Sequence, residues 1–415
     1  MNENGRPAPR GRKARLSAPG LAALAPRLAL SAGSLLFAYA LVEFAVFPFA
    51  IAHFSYKLQW RVDLPFLVFC QSTKTHRAPK DYALILGDSY AVGLGEQWDN
   101  LNRWTRQAFG SQAVLHARTG RDIITMGHAG AGSLGGLVAD PVGKFEFLKK
   151  TVLYKLSEPK VVLAYFYEGN DLDNNLRDLG NRYLGKYDEA RLHDPAYFKE
   201  FIRKAVVEED DTFRRSRRFH LDQNLIFWKF VKSSSRKLWE VLSGAAPQAQ
   251  AATLFGANLV RLGPRVVAVP DRLQGPSLEM TPEEVKRGVH VFEQSLRYLR
   301  EYLPRSRILV VYVPAPLSCY ELASDWISVE PYLERTPYHE ARKVRPRSDH
   351  IAGLIREAAG RAGCGFVDTR PALRLQARNK LLHGGTDWKH LTRVGYAALA
   401  EAILPDLERA FRETR

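Results

Sequence analysis

The chain has 415 residues, 46% of them hydrophobic and 25% charged, a balance that excludes a disordered or fibrous protein and supports a sizeable core. Its formal net charge of +16 points to an anionic partner, such as a lipid surface or an acidic polymer. No zinc-finger spacing and no aromatic RNA-binding motif accompanies that charge, so nucleic acid is the weakest partner class.

Residues 1–27 hold Arg6, Arg10, Arg12, Lys13, Arg15 and Arg27 against the single acid Glu3. Residues 28–52, LALSAGSLLFAYALVEFAVFPFAIA, follow with one charge, Glu43. A bilayer crossing takes ~20 apolar residues. Basic residues before the span and few after it predict a cytoplasmic N-terminus and an extracytoplasmic, periplasmic remainder. Glu43 opposes insertion by roughly 2.5–3.5 kcal/mol at a helix centre, which the Leu, Phe and Val around it offset. A cleaved signal peptide ending at Ala50-Ile51-Ala52 would need a shorter apolar region of ~7–15 residues. A buried core helix is the plain alternative. The expectation is an uncleaved signal-anchor.

Residues 53–81 read as a stem. Five short apolar runs then alternate with helical patterns: Ala83–Gly87, Asp122–Gly127, Val161–Tyr167, Arg307–Val313 and Gly365–Asp368. That alternation predicts a parallel sheet covered by helices on both faces. Before the fourth run, Thr281, Pro282 and Glu284 write the start of a helix, as N-cap, first-turn proline and capping-box acid. Val285, Val289, Phe292, Leu296, Leu299 and Leu303 then mark one apolar face. A final helix is expected within residues 391–411.

Residues 176–280 break the rhythm and read as an insertion between the third and fourth strands, with a hairpin about Gly263-Pro264. Inside it, FWKFVKSSSRKLW (residues 227–239) reads as a helix with one packed face, or as a surface for anionic headgroups or an acidic glycan. Cys70, Cys319 and Cys364 lack metal-type spacing. In an exported domain Cys319 and Cys364 could form a disulfide. Otherwise all three are small buried residues.

Four polar patterns fall in chain order. Gly87-Asp88-Ser89 ends the first strand, Gly127-His128-Ala129-Gly130 the second, and Glu168-Gly169-Asn170-Asp171 the third. Asp387-Trp388-Lys389-His390 precedes the last helix. Sites in open parallel sheets form at the carboxyl ends of strands, so the first three patterns should meet at one edge. A serine hydroxyl needs a base, and histidine suits that task. Asp387 and His390, three apart on a helical or turn backbone, can share a face, the acid orienting the imidazole. The N–H groups of Ser89 and Gly130 and the side-chain amide of Asn170 could receive an oxyanion.

Other readings of these residues are weaker. Gly130 to Gly135 fits the spacing GxGxxG, but an earlier strand ending at Gly87 occupies the place of that fingerprint. Ser133 lacks the first glycine of a nucleophile elbow, where Ala131 stands. His383 with Asp387 and His390 lacks further ligands at helical spacing, so no metal is expected. Glu168 and Asp171 read as solvated or structural acids.

Together the blocks around Ser89, Gly130, Asn170 and Asp387/His390 resemble the SGNH (GDSL-type) hydrolase family. The resemblance covers residues 82–412 apart from the insertion. It implies an α/β fold similar to flavodoxin, with five parallel strands in the order 2-1-3-4-5 between helices, and an N-terminal transmembrane helix added here. It further implies Ser89, His390 and Asp387 as catalytic residues, with Ser89, Gly130 and Asn170 as the oxyanion hole. No cofactor is expected. The glycine block departs from the family in carrying Thr125-Met126 before Gly127, which leaves Gly132 as an alternative to Gly130.

The resulting expectation is a membrane-anchored serine esterase acting on O-acyl, foremost O-acetyl, esters of a carbohydrate or envelope polymer. Transfer of the acyl group to a polysaccharide, hydrolysis of a lipid ester, and a non-catalytic glycan-binding or scaffold module are the alternatives.

Overall fold

The computed structural model describes residues 18–59, 61–76, 78–95, 109–151, 154–217, 225–242, 255–331, 335, 337–385 and 387–414. Residues 1–17 of the basic N-terminal segment, and residues 218–224 and 243–254 of the insertion, lie outside the described residues.

The chain divides into two compact units, Met1–Pro48 and Phe49–Arg415. The first contains the helix Ala18–Leu41, rich in Ala and Leu, with Pro26 inside it. Helical structure covers the 28 residues Pro26–His53, a stretch long and apolar enough to cross a membrane by length and composition. A signal sequence passes the same test.

The second unit is built on five parallel strands: β1 (Tyr82–Leu86), β2 (Asp122–Thr125), β3 (Val161–Tyr167), β4 (Arg307–Val313) and β5 (Gly365–Asp368). They lie in the order β5-β4-β3-β1-β2, the order expected from the sequence. β1 and β3 are buried at every residue, because helices cover both faces and leave no polar side to the strand. The registers Leu84↔Val162 and Leu84↔Ile124 seat β1 between its two neighbours. Gly87 and Gly127, expected at strand ends, fall just outside β1 and β2, where the chain turns.

The helix Pro282–Tyr302 starts at Thr281, and both halves of its capping box are present. Its buried face includes Val285, Val289, Phe292, Leu296 and Leu299. The final helix runs Arg393–Glu413 from an N-cap at Thr392. In the insertion, Phe255–Leu262 and Arg265–Pro270 form the antiparallel hairpin, and Glu321–Leu322 adds a third strand to it. That third strand follows β4, so the inserted hairpin is stitched to the main fold.

Three expectations are decided here, the first as a correction. Asp387 to His390 lie neither on a helix nor in an open turn but in the short strand Asp387–Leu391, paired antiparallel with His383–Gly384. Of the two readings of Glu168 and Asp171, solvated or structural, the structural one fits, since both are buried. Glu168 is fully buried and accepts from the Tyr312 hydroxyl at 2.7 Å and the Ala315 amide at 2.8 Å. The three cysteines are free and separately buried, so no Cys319–Cys364 disulfide forms.

Candidate active site

β1 ends where the apolar run ends. Asp88 caps the one-turn helix Ser89–Val92, its carboxylate accepting the Tyr90 amide at 2.9 Å. The cap holds Ser89 at the carboxyl edge of the sheet, next to the point where strand order reverses between β1 and β3. Ser89 is the residue that edge presents, and His390 meets it there. The Ser89 Oγ lies 2.8 Å from His390 Nε2, and His390 Nδ1 lies 2.6 Å from Asp387 Oδ2.

The local chain explains how a strand brings Asp387 and His390 together. Asp387 Oδ1 accepts the amides of Lys389 at 3.0 Å and His390 at 3.2 Å, folding its carboxylate back along its own backbone. Oδ2 is thereby left for the imidazole. Burial pushes the Asp387 carboxyl up, but its hydrogen bond and charge interaction with His390 outweigh that and hold it below the ordinary carboxylate range. An ionised acid on Nδ1 leaves Nε2 as the proton acceptor facing serine, which general-base activation requires.

The glycine block separates into two roles. Gly130 is exposed, has φ +76°, and a Cβ there would meet nothing within 4 Å. Gly132 is packed: a Cβ would stand 2.8 Å from Asn175 Oδ1. Asn175 in turn accepts the Ser133 amide at 2.6 Å and donates to the Gly288 carbonyl at 3.0 Å, so it staples the loop to the helix behind it. On the other side, the His128 amide bonds the Gly87 carbonyl at 2.9 Å, and its ring meets Asp140 at 3.0 Å. Burial pushes Asp140 up, yet His128 and the buried Lys144 bring its pKa down to about 2.

Asn170 precedes the helix Asp171–Arg177, and its side-chain oxygen is buried with no hydrogen-bond partner. That oxygen is an acceptor and calls for a donor; only the Nδ2 of the same amide could face an oxyanion. The Ser89 amide is less free than the sequence suggested, because it also faces the Asp88 carboxylate.

Beneath the serine lies a pair of buried acids. Burial raises Asp88, opposed mainly by the Tyr90 amide and by His390. Burial and then the Asp88 charge raise Asp171 well above the usual range, while its Oδ2 accepts the Tyr167 amide at 2.8 Å. Burial and the neighbouring negative charge thus both disfavour the ionised form of Asp171.

Several supporting residues escaped the sequence reading. The Tyr90 hydroxyl donates to the Lys389 carbonyl at 2.6 Å and its ring lies 5.4 Å from that of His390, clamping the histidine's strand. Tyr320 Oη accepts the amides of Leu382 at 2.8 Å and His383 at 3.0 Å and contacts His383 Nδ1 at 3.1 Å. Burial, followed by the nearby His390, brings the His383 pKa down to about 3, so its ring is a neutral prop. Tyr90 adjoins Ser89 in sequence and could have been flagged. Tyr320 is separated from His383 by 63 positions, and no motif links them.

A cavity of about 310 Å³ adjoins this edge, lined by Leu64, Leu67 and Val68 of the stem, Val92 and Leu94 after the serine, and Met126. Among the described residues no group of three or more His, Cys, Asp or Glu is placed to hold a metal ion.

No family model and no curated protein matches the chain. Solved structures similar to it include the extracellular lipase of Streptomyces rimosus, at 14% identity over 80% of this chain and 99% of that one, with a TM-score of 0.37. Phospholipase A1 of Streptomyces albidoflavus shares 14% identity over 80% and 99%, with a TM-score of 0.35. A catalytic mutant of an acetylxylan esterase from Geobacillus stearothermophilus shares 12% over 80% and 95%, with a TM-score of 0.33. Likeness at this level does not reach the reaction.

Proposed function

We propose that the chain is a serine esterase in which Ser89 attacks an acyl carbonyl, His390 carries the proton and Asp387 orients His390. The observation that carries this reading is the unbroken line Asp387–His390–Ser89, with contacts of 2.6 and 2.8 Å. In the first half-reaction Ser89 Oγ bonds to the carbonyl carbon and its proton passes to His390 Nε2. The ester's alcohol then leaves with that proton. In the second, water gives a proton to His390, attacks the acyl-enzyme and releases the acid and the free serine. A sugar hydroxyl in place of water yields a new ester, and the protein then acts as an O-acyltransferase.

The oxyanion formed in each half would be met by the N–H groups of Ser89 and Gly130 and the Asn170 amide. One such donor is worth ~3 kcal/mol in the transition state. The open space at Gly130 supports its assignment; Asn170 enters on its place between β3 and the helix Asp171–Arg177, with Nδ2 as the donor. Gly132, filled by Asn175, is the poorer candidate.

The substrate we favour is an O-acyl ester of a carbohydrate or envelope polymer, for which the +16 net charge suits an anionic chain. The cavity at the β2 end of the sheet edge, with Leu64, Leu67, Val68, Val92, Leu94 and Met126 in its lining, favours a second reading, an ester with a longer acyl arm such as a lipid. The apolar stretch Pro26–His53 supports a single membrane span with the catalytic unit exported.

Labelling with a fluorophosphonate probe tests the reading. The folded wild type should take one label, and Ser89→Ala none. A folded wild type that takes no label and cleaves no acyl ester refutes it. Mass analysis of products with and without a glycan acceptor separates hydrolysis from transfer.

A further inference from the structure

One element of the insertion takes no part in the site. The helix Ile226–Leu242, IFWKFVKSSSRKLWEVL, is strongly amphipathic and carries four basic residues against one acid. One row of it faces solvent: Trp228 is 53% exposed and Val231 39%, with Lys232 and Ser235 also exposed. A tryptophan and a valine on the outer face of a basic helix contradict the usual polar outer face. They match a helix that lies in a membrane interface.

Its other side is fastened to the stem. The Phe230 ring lies 5.2 Å from that of Phe54, and Lys229 Nζ lies 3.1 Å from Asp63 Oδ2. Arg215, from the preceding helix, grips the same carboxylate through both guanidinium nitrogens. Burial pushes Asp63 up, but these two cations hold it below the usual range and keep the clamp charged. Phe54 is the residue immediately after the apolar stretch Pro26–His53. If that stretch spans a bilayer, Phe54 stands at its surface, and whatever packs on Phe54 stands there too.

We infer that the helix Ile226–Leu242 lies on the anionic phospholipid headgroups of the bilayer that holds the N-terminal span, with Trp228 and Val231 in the interface and Lys232 toward lipid phosphates. This rests on the membrane-anchored part of the reading above and not on the esterase chemistry. Tryptophan favours the headgroup depth because its ring is apolar and its N–H polar. Basic side chains add attraction that depends on anionic lipid. Asp63, the residue the helix grips, precedes Leu64, which with Leu67 and Val68 lines the cavity at the β2 end of the sheet edge, so the seated helix would hold that cavity at a set distance from the membrane.

The full-length chain, reconstituted in vesicles of phosphatidylcholine and phosphatidylglycerol in equal parts, provides the test. All three native cysteines are buried, so a Val231→Cys variant takes an environment-sensitive fluorophore selectively. The exposed Leu375 supplies a control as Leu375→Cys. The expected result is strong quenching of the 231 label by a headgroup nitroxide and little at 375. Vesicles of phosphatidylcholine alone, or Lys232→Glu in the labelled chain, should weaken the quenching severalfold. Equal quenching at both positions overturns the inference, and so does quenching indifferent to lipid charge. A chain that does not float with vesicles refutes the anchor and this inference together, while leaving fluorophosphonate labelling of Ser89 intact.

Discussion

His390 Nε2 stands 2.8 Å from Ser89 Oγ although 301 positions separate them in the chain. The distance is set by two anchors far apart in the chain, the Asp88 cap on one side and the Asp387–Leu391 strand on the other. Each can be tested separately.

Asp387→Asn leaves an amide in place of the carboxylate and should keep the fold, because Oδ1 can still accept the Lys389 and His390 amides. It removes the charge that selects the imidazole tautomer. kcat for a chromogenic acyl ester should fall about 10⁴-fold with KM little changed. A fall of less than tenfold would show that His390 does not depend on this acid.

Asn170 and the two glycines give a graded series. Asn170→Ala should lower kcat by about 10²–10³ with little change in melting temperature. Gly130→Ala meets no clash but must hold φ +76°, a strain of roughly 1–2 kcal/mol for a residue with a Cβ. Gly132→Ala drives a methyl toward Asn175 and should destabilise by roughly 1–3 kcal/mol. Urea denaturation and steady-state kinetics on the three variants distinguish chemistry from packing. A Gly132→Ala protein as stable as wild type contradicts the packing assignment.

Tyr320→Phe removes the acceptor of two buried amides, those of Leu382 and His383. Each unsatisfied buried donor costs about 1–3 kcal/mol. The variant should melt several degrees lower and lose kcat through a loosened Asp387–Leu391 strand, while KM stays near the wild-type value. Unchanged stability would mean that the strand holds its place without Tyr320.

Asp171 gives a pH prediction of defined sign. Its folded pKa lies well above the unfolded value of about 3.9, so between the two the folded state binds an extra proton. Stability from this group is present at low pH and is lost as pH rises through the folded pKa. Asp171→Asn keeps an oxygen for the Tyr167 amide and cannot ionise. The variant should gain on the wild type as pH increases, read as a growing difference in urea midpoint. Asp387 runs the other way, stabilising above about pH 4 and failing as pH falls through its depressed value. Parallel stability curves for wild type and Asp171→Asn would contradict the buried-pair reading.

Much of this was legible in the sequence because local rules wrote it. The five apolar runs became five strands, with β3, β4 and β5 at the expected residues, since a strand buried on both faces must be apolar throughout. Thr281 to Glu284 announced its helix because a capping box satisfies amides within four residues. Ser89 and Asn170 stood out because polar residues just after buried runs have few structural reasons to be there, and Gly130, Asp387 and His390 through the spacing of their blocks.

What spacing could not show was anything held by long-range contact. The backbone of Asp387–His390 was misjudged because its strand exists only through pairing with His383–Gly384 and the grip of Tyr320 and Tyr90. What distinguishes Gly132 from Gly130 is packing against Asn175, on another helix. The two acids under Ser89 were invisible as a pair, since burial and mutual charge are properties of packed space. The sequence by itself determined the apolar stretch, the strand order's raw material and the candidate site side chains, because each depends on neighbours a few residues away. The tertiary structure alone decided which of those side chains touch, which glycine is open and which carboxyls are buried together, because hydrogen-bond reach and desolvation depend on distance through the fold rather than along the chain.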